Sequence, residues 1–166
     1  MPAVLQQNLP DLTGKVLANG FVLLEVLGSG TWGTVYKALD TRSKSEEDVY
    51  YAVKCLRIPA KWTYDEDLML REIRHHSAVS GHPNVVAYHR TLYDLDYAYL
   101  ILDLCAGGDL FTSIVKRDAF LKNTDKIKAV FLQVLDAVEH CHSVGVFHRC
   151  VLLVRCCVCA DFFTAT

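Results

Sequence analysis

The sequence predicts an α+β fold, in which an antiparallel sheet of five strands with one inserted helix is followed by further helices. Three observations support this prediction. Residues 21–56 alternate β-favouring runs with turns, residues 63–79 place apolar side chains among charged ones at helical spacing, and residues 123–143 keep an apolar period close to 3.6. A chain of 166 residues is long enough for one ordinary domain or for part of a larger one.

The strands are predicted from short runs rich in β-branched and aromatic residues that end at turn residues. Three runs come first, and Gly81, His82 and Pro83 end the following helix before two more runs. The five runs are FVLLEVL, TVYKALD, VYYAVKCL, NVVAYHRTLYD and YAYLILDLC.

Three helices are expected. The stretch TYDEDLMLREIRHHSAV has Thr63 as its N-cap and acidic residues in its first turn. Asp109 to Lys116 suggests a short helix, and Asn123 to Ser143 the longest one, with Thr124 as its cap. The apolar positions of that long helix are Ile127, Val130, Phe131, Val134, Leu135 and Val138.

Composition places the chain among globular proteins, with 52% hydrophobic residues, 22% charged residues and a net charge of −2. Such a balance gives no broad cationic surface, so no nucleic-acid partner is predicted. The start MPAVLQQNLPDLTG lacks the features of a signal peptide, and no run is long and apolar enough to span a membrane. We therefore expect an intracellular protein, cytoplasmic or nuclear, whose cysteines are thiols. Three of them lie in apolar runs and are predicted as core residues: Cys55, Cys105 and Cys141.

A glycine motif lies in VLGSGTWGTV, residues 26–35, where Gly28, Gly30 and Gly33 form G-x-G-x-x-G. Glycines allow the backbone to approach a phosphate closely and to offer its N–H groups. The same triplet also occurs in dinucleotide-binding folds and in ordinary hairpins. Because TVYKALD after it reads as a strand and not as a helix, the context favours a phosphate-covering hairpin over a dinucleotide site.

Lys54 lies in the middle of the apolar run YYAVKCL. A lysine in a buried strand is unfavourable unless an anion or a carboxylate meets it, whereas a lysine on an edge strand simply points to water. Glu72 in LREIRHH on the following helix is a carboxylate that is able to face the sheet and pair with Lys54. Taken alone, Glu72 would be assigned to a solvated helix face.

These motifs, in this order, resemble the protein kinase family. GSGTWGTV is similar to its glycine-rich loop, YAVKCL to its lysine strand, and REI to the helix that carries its pairing glutamate. HPNVV resembles the connection into the fourth strand, and YLILDLCAGGDLF the fifth strand and the hinge that follows it. The likeness covers about Phe21 to Arg149 and implies a kinase N-lobe, a hinge and the first helices of a C-lobe (αD and αE).

The resemblance implies an ATP site. Lys54 would contact the α- and β-phosphates, Glu72 would orient it, and the three glycines would lie over the phosphates. Leu27, Val35 and Ala52 would sandwich the adenine, and Leu102 falls at the gatekeeper position. The backbone of Asp103 and Cys105 would hydrogen-bond the adenine edge, and Asp109 would reach the ribose.

The resemblance fails after Arg149. His148 and Arg149 match the start of the H-R-D motif, but Cys150 stands at the position of the aspartate that positions the substrate hydroxyl. The following VLLVRCCVCA contains no asparagine for Mg²⁺, and Asp161 in ADFF lacks the glycine and the spacing of a D-F-G motif. We therefore expect no intact catalytic residue, no metal site and impaired phosphoryl transfer.

Three interpretations of the tail remain open. His148 and Cys150 with the pair Cys156 and Cys159 would form a zinc site, although the gap between the two pairs is short and lacks turn residues. The chain would otherwise be a pseudokinase that binds nucleotide without catalysis. In the third interpretation a kinase reading frame ends at Arg149 and noncoding or frame-shifted sequence follows, which the abrupt loss of likeness favours.

The expected organisation is an N-terminal extension at residues 1–20, a partial kinase domain at 21–149, and an unrelated tail at 150–166. Within the domain, residues 21–105 form the N-lobe and 106–149 the start of the C-lobe. The resemblance to the family implies ATP-dependent transfer of a phosphoryl group to serine or threonine of a protein substrate. The alternative is a nucleotide-binding or interaction module without catalysis.

Overall fold

In a computed structural model the protein is described over residues 10–30, 33–59, 64–107, 110 and 123–147. The chain divides into two compact units. The first contains the described residues up to Arg74 together with Tyr88–Leu104, and the second contains His75–Ala87 together with the described residues from Cys105 onward.

The first unit is built on a five-stranded antiparallel sheet, which confirms the predicted fold class. The strand order is β1-β2-β3-β5-β4, and every neighbouring pair is antiparallel. The strands are β1 Phe21–Gly30, β2 Gly33–Asp40, β3 Tyr50–Arg57, β4 Tyr88–Tyr93 and β5 Tyr97–Asp103.

Strand β4 begins at Tyr88, four residues later than the run NVVAYHRTLYD suggested. The preceding residues form a turn, in which the Asn84 amide donates to His82 Nδ1 at 3.2 Å and the Val85 amide donates to the His82 carbonyl at 3.0 Å. These turn bonds use backbone groups that a strand would need for its ladder.

One face of the sheet carries the main apolar core of the first unit. Successive residues of a strand point to opposite faces, so alternate positions of the strands contribute to this core. We call it the Tyr36 cluster, and its members are all at most 8% exposed: Leu17, Phe21, Leu23, Tyr36, Ala38, Val53, Cys55, Tyr97, Tyr99 and Ile101.

The segment before β1 packs onto this cluster. The Leu12 amide donates to the Tyr36 hydroxyl at 3.0 Å, and Leu12 packs against the cluster. Gly14 donates to the Leu23 carbonyl at 2.8 Å, and the Leu23 amide donates to the carbonyl of Lys15 at 3.0 Å. Leu17 is itself 5% exposed, so these residues belong to the folded unit although they precede the first strand.

A charged cluster joins this segment to the turn between β4 and β5. Lys15 Nζ lies 2.7 Å from Asp94 Oδ2, and the Tyr99 hydroxyl donates to the same oxygen at 2.6 Å. Burial by itself would raise the pKa of Asp94, but hydrogen bonds from Lys15, Tyr99 and the amides of Asp96 and Tyr97 hold it below its usual value. Burial and the bond to Asp94 raise the pKa of Tyr99 to about 12.

We predict that Asp94→Asn lowers the free energy of unfolding by about 1–2 kcal/mol at pH 7, because a carboxylate bonded to a cation and three neutral donors becomes a neutral amide. The folded pKa of Asp94 lies below the unfolded value of about 3.9, so its contribution is present above that value and disappears as the pH falls. Urea denaturation at pH 7 and at about pH 3 measures the difference. Asp96→Asn is the control, since only the backbone amide of Asp96 joins this cluster. Equal losses in the two variants would contradict the prediction.

The described α-helices are α1, Tyr64–Val79, and α2, Thr124–Ser143. The predicted cap of α2 is wrong: Thr124 is the first helical residue, and the Asn123 side chain accepts the hydrogen bond from the Lys126 amide at 2.9 Å. Thr63 lies outside the described residues, as does the predicted short helix Asp109 to Lys116 apart from Leu110. Neither α1 nor α2 is long and apolar enough to cross a membrane.

Within the second unit, the turn after α1 is bonded to α2. Asn84 Nδ2 donates to Asp136 Oδ2 at 2.8 Å, and His82 Nε2 lies 3.3 Å from the same oxygen. The ring of His82 stacks on that of His140, with centroids 4.6 Å apart and planes 20° from parallel. His82, which the sequence indicates only as part of a helix break, therefore contacts the long helix together with Asn84.

Burial of the cysteines follows the prediction at one position. Cys55 is fully buried in the Tyr36 cluster, where burial raises the pKa of its thiol to about 12. The prediction is wrong for Cys105 and Cys141, which are only partly buried. Cys105 follows the end of β5, and Cys141 lies near the end of α2, so neither reaches a position between packed strands.

Candidate functional site

The second face of the sheet brings together most of the residues singled out from the sequence. In antiparallel strands, directly opposed residues place their side chains on the same face. Lys54 of β3 is opposite Val35 of β2 and Leu100 of β5, and Ala52 is opposite Leu102. Because their neighbours Tyr36, Val53 and Ile101 point into the Tyr36 cluster, these five residues form the opposite surface. We call it the Lys54 face: Val35, Ala52, Lys54, Leu100 and Leu102.

Among these five residues Lys54 carries the charge, and the other four side chains are apolar. Leu100 is fully buried, and Ala52 and Leu102 are 6% and 8% exposed. The Lys54 side chain keeps 20% of its surface in contact with solvent. An ammonium group in such surroundings interacts more strongly with an anion than one surrounded by water, since the local dielectric constant is lower.

The Lys54 ammonium forms an ion pair with Glu72 of α1. Lys54 Nζ donates to Glu72 Oε1, and the Glu72 side chain is 23% exposed. The expected pairing is confirmed, and the assignment of Glu72 to a solvated helix face is wrong. A lysine ammonium has three N–H donors, so the bond to Glu72 leaves donors for a second acceptor. The carboxylate also fixes the direction in which the flexible lysine side chain extends.

The glycine motif forms the end of the hairpin between β1 and β2. Gly28 is opposite Val35, and Gly30 is opposite Gly33. The motif is thus followed by a strand, as expected for a hairpin and unlike a dinucleotide site, where a helix follows. Leu27, beside an irregularity in the β1 ladder, is 38% exposed, and Thr31 and Trp32 lie outside the described residues.

Gly33 is required where the hairpin approaches β3. Its φ of 126° lies in the region that side chains disfavour, and a Cβ there would lie 2.2 Å from the carbonyl oxygen of Cys55. By contrast, a Cβ at Gly30 would meet no atom within 4 Å. The two glycines of one motif therefore have different structural roles.

We predict that Gly33→Ala destabilises the first unit by about 1–3 kcal/mol, because the new methyl group clashes with backbone and the backbone conformation is strained. Gly30→Ala is the matched control, and we expect a change of less than about 0.5 kcal/mol. Thermal and urea denaturation of the two variants beside the parent chain measure both values. A Gly33→Ala chain as stable as the Gly30→Ala chain would rule out the close approach to Cys55.

The end of β5 has a side-chain contact that the sequence did not predict. His89 Nε2 lies 2.6 Å from Asp103 Oδ1, and the ring of His89 makes an edge contact with Tyr51 at 5.2 Å between centroids. His89 occupies a register shift between Tyr88 and Arg90, and no local pattern in the sequence marks such a shift. The alternation that places Leu102 on the Lys54 face turns the Asp103 side chain to the opposite face, so only the Asp103 backbone could serve the Lys54 face.

The structure describes only some of the remaining candidate residues. Cys105 belongs to the second unit. Asp109, His148, Arg149 and Cys150 lie outside the described residues, as do the other cysteines of the suggested zinc site. Among the residues that the structure describes, no group of three His, Cys, Asp or Glu side chains is arranged to hold a metal ion.

Comparison with known proteins agrees with the geometry. Residues 21–151 match the family described as protein kinase domain. The chain is 39% identical over 150 residues to the negative regulator of sexual conjugation and meiosis of Schizosaccharomyces pombe, an alignment that covers 88% of this chain and 30% of the relative. It is 35% identical over 133 residues to the serine/threonine-protein kinase ksp1 of the same yeast, covering 78% and 27%.

A plant relative shows the same partial coverage. The chain is 31% identical over 141 residues to calcium-dependent protein kinase 32 of Arabidopsis thaliana, covering 85% of this chain and 25% of the relative. The chain thus spans about a quarter to a third of the length of these relatives.

Proposed function

Because the chain belongs to the protein kinase family, we propose that its Lys54 face binds ATP and that the family's serine/threonine phosphoryl transfer is impaired in this chain. The observation that carries the proposal is the ion pair between Lys54 and Glu72, on the face of the sheet opposite the Tyr36 cluster. A lysine held by a carboxylate beside an apolar surface is suited to bind a phosphate next to an aromatic base.

The chemistry of the described residues fits a nucleotide. The donors that Lys54 retains would bind the α- and β-phosphate oxygens, and charge-assisted bonds of this kind are among the strongest hydrogen bonds in proteins. The small side chain of Ala52 leaves space for an adenine ring between apolar neighbours. The Gly28 to Gly33 hairpin would cover the phosphates with a backbone that lacks obstructing side chains at its glycines. Leu102, the Asp103 and Cys105 backbone and Asp109 complete the proposed contacts.

Phosphoryl transfer requires further groups besides a nucleotide site. In phosphoryl transfer most of the stabilisation comes from Mg²⁺ and its ligands, together with an aspartate that positions the attacking hydroxyl. Cys150 stands at the aspartate position, and residues 151–166 contain no asparagine. A thiol cannot replace both a carboxylate base and the metal ligands. We therefore propose that nucleotide binding is retained and that phosphoryl transfer, with Mg²⁺ and a protein substrate as in the family, is impaired.

A second candidate function is a nucleotide-binding or interaction module without catalysis. Retention of the Lys54–Glu72 pair together with loss of the catalytic aspartate favours it. In either case we propose that the protein acts inside the cell, because Cys55 and Cys141 are thiols and thiols persist in reducing compartments.

We predict that the chain binds ATP and that Lys54→Ala weakens binding at least about tenfold, as expected for the loss of a charge-assisted bond of about 1.5–3 kcal/mol. Isothermal titration calorimetry with ATP, with and without Mg²⁺, measures the affinity. Lys44→Ala is the control, because Lys44 is exposed in the loop between β2 and β3 and should leave binding unchanged. Circular dichroism establishes that each variant is folded. Equal affinity in the parent and Lys54→Ala chains, or no binding by the folded parent, would refute the proposed site.

We also predict that the purified chain phosphorylates a generic serine/threonine substrate no faster than its Lys54→Ala variant does. Transfer of radiolabelled γ-phosphate from ATP with Mg²⁺ measures the rate. The physical reason is the absence of an aspartate at position 150 and of an asparagine beyond it. Robust transfer that depends on Lys54 would overturn the proposed impairment while supporting the nucleotide site.

A further inference from the structure

Strand β4 contains an extra residue that turns two consecutive side chains to the same face of the sheet. The ladder between β4 and β5 shifts by one residue just before Arg90, and His89 is the inserted residue. Consecutive residues of a regular strand point to opposite faces, whereas such a bulge redirects a side chain. Here the Arg90 guanidinium lies 5.3 Å from the centre of the Phe21 ring, and the His89 ring lies 5.2 Å from that of Tyr51. Both aromatic rings belong to the face that carries the Tyr36 cluster.

The bulge brings His89 to the last residue of β5. His89 Nε2 lies 2.6 Å from Asp103 Oδ1, and a carboxylate only accepts hydrogen bonds, so the Nε2–H group donates. The His89 ring stands edge-on to Tyr51, which is directly opposite Asp103 in the ladder between β3 and β5. Two contacts from different directions therefore hold the imidazole, one to the side chain of Asp103 and one to the residue paired with it.

We propose that His89 is a positioning residue for nucleotide recognition, which holds the backbone of Asp103 in the orientation that receives the amino group of adenine. The inference rests on the proposed nucleotide site, in which the Asp103 backbone contacts the base. A peptide carbonyl is an acceptor and the exocyclic amino group of adenine is a donor, so the Asp103 carbonyl is the group that pairs with it. His89 acts through Asp103 and not by contact with the nucleotide, because its ring packs on the face opposite the Lys54 face.

The position of Asp103 in its strand explains why the backbone needs this support. Strand β5 ends at Asp103, so the regular ladder does not continue along the peptide group that follows it. The orientation matters because a hydrogen bond weakens steeply when its angle falls below about 120°. A bond to the Asp103 carboxylate restrains the Cα atom from which the carbonyl projects, and it comes from a strand that is itself paired with β5.

Base recognition and phosphate binding then depend on different residues. Lys54 would bind phosphate oxygens, which every nucleoside triphosphate carries, whereas His89 would affect only a base with the exocyclic amino group. Purine riboside triphosphate has the same sugar, phosphates and ring system as ATP but lacks this amino group. A comparison of the two nucleotides therefore separates the role of His89 from a general loss of structure.

Isothermal titration calorimetry of the full chain with ATP and with purine riboside triphosphate tests the proposal. We expect His89→Ala to weaken ATP binding about three- to tenfold, as for the loss of one hydrogen bond, and to change binding of the analogue less than about twofold. Lys54→Ala should weaken binding of both nucleotides alike. Arg90→Ala is the matched control, because Arg90 contacts Phe21 from the same bulge, and this change should leave the affinity for ATP unaltered.

Two further variants keep the test decisive. His89→Gln retains an N–H donor at the end of the side chain and should recover most of the affinity for ATP. Asp103→Ala keeps the carbonyl and removes the same bond from its other end, so it should match His89→Ala, and the double variant should lose no more than either single variant. The His89 and Asp103 side chains are 40% and 45% exposed, so neither change removes a core residue, and circular dichroism establishes that each variant is folded.

The results distinguish the role of His89 from the nucleotide site itself. In a parent chain whose ATP binding depends on Lys54, the role of His89 alone would be overturned by any of three results. These are an unchanged affinity for ATP in His89→Ala, equal losses for the two nucleotides in that variant, or an equal loss in Arg90→Ala. A folded parent chain that binds neither nucleotide would instead refute the proposed site, and the role of His89 with it.

Discussion

The arrangement of the first unit depends on the alternation of side chains along β3. A lysine in a central strand is unfavourable unless it is compensated, because its ammonium group loses hydration on a largely apolar surface. Val53 and Cys55 point into the Tyr36 cluster, whereas Lys54 between them points the other way and meets Glu72 of α1. The strand can therefore complete a dense hydrophobic core and present a cation on its other side. A shift of register by one residue would exchange these two faces and bury the charge.

The glycine hairpin approaches this same strand at Gly33. Gly33 lies against the carbonyl of Cys55, the residue after Lys54, so the backbone of the hairpin and the strand that bears the cation are held at close distance. A Cβ at Gly30 would meet no atom within 4 Å, so the close approach to β3 involves Gly33 and not Gly30.

Local patterns in the sequence were sufficient for the existence of the five strands and for the hairpin context of the glycines. The pairing of Lys54 with Glu72 also needed the resemblance to a family, because Glu72 alone would be assigned to a solvated helix face. Local patterns failed where distant parts of the chain meet. Lys15 and Asp94 are 79 residues apart, and neither has a neighbour that indicates the contact. The contact between His89 and Asp103 depends on a register shift, which leaves no periodic signal. At α2, Asn123 and Thr124 are both good capping residues, so the sequence alone could not choose between them.

The segment before β1 affects how a fragment of this protein should be prepared. The family match starts at Phe21, but Leu12 and Leu17 cover the Tyr36 cluster, and the amide of Leu23 donates to the carbonyl of Lys15. A fragment cut at the family boundary would expose the apolar side of the sheet and leave the Tyr36 hydroxyl and the Leu23 amide without these partners. We therefore expect a fragment that keeps residues 11–20 to be more stable than one that starts at Phe21, where the family match begins.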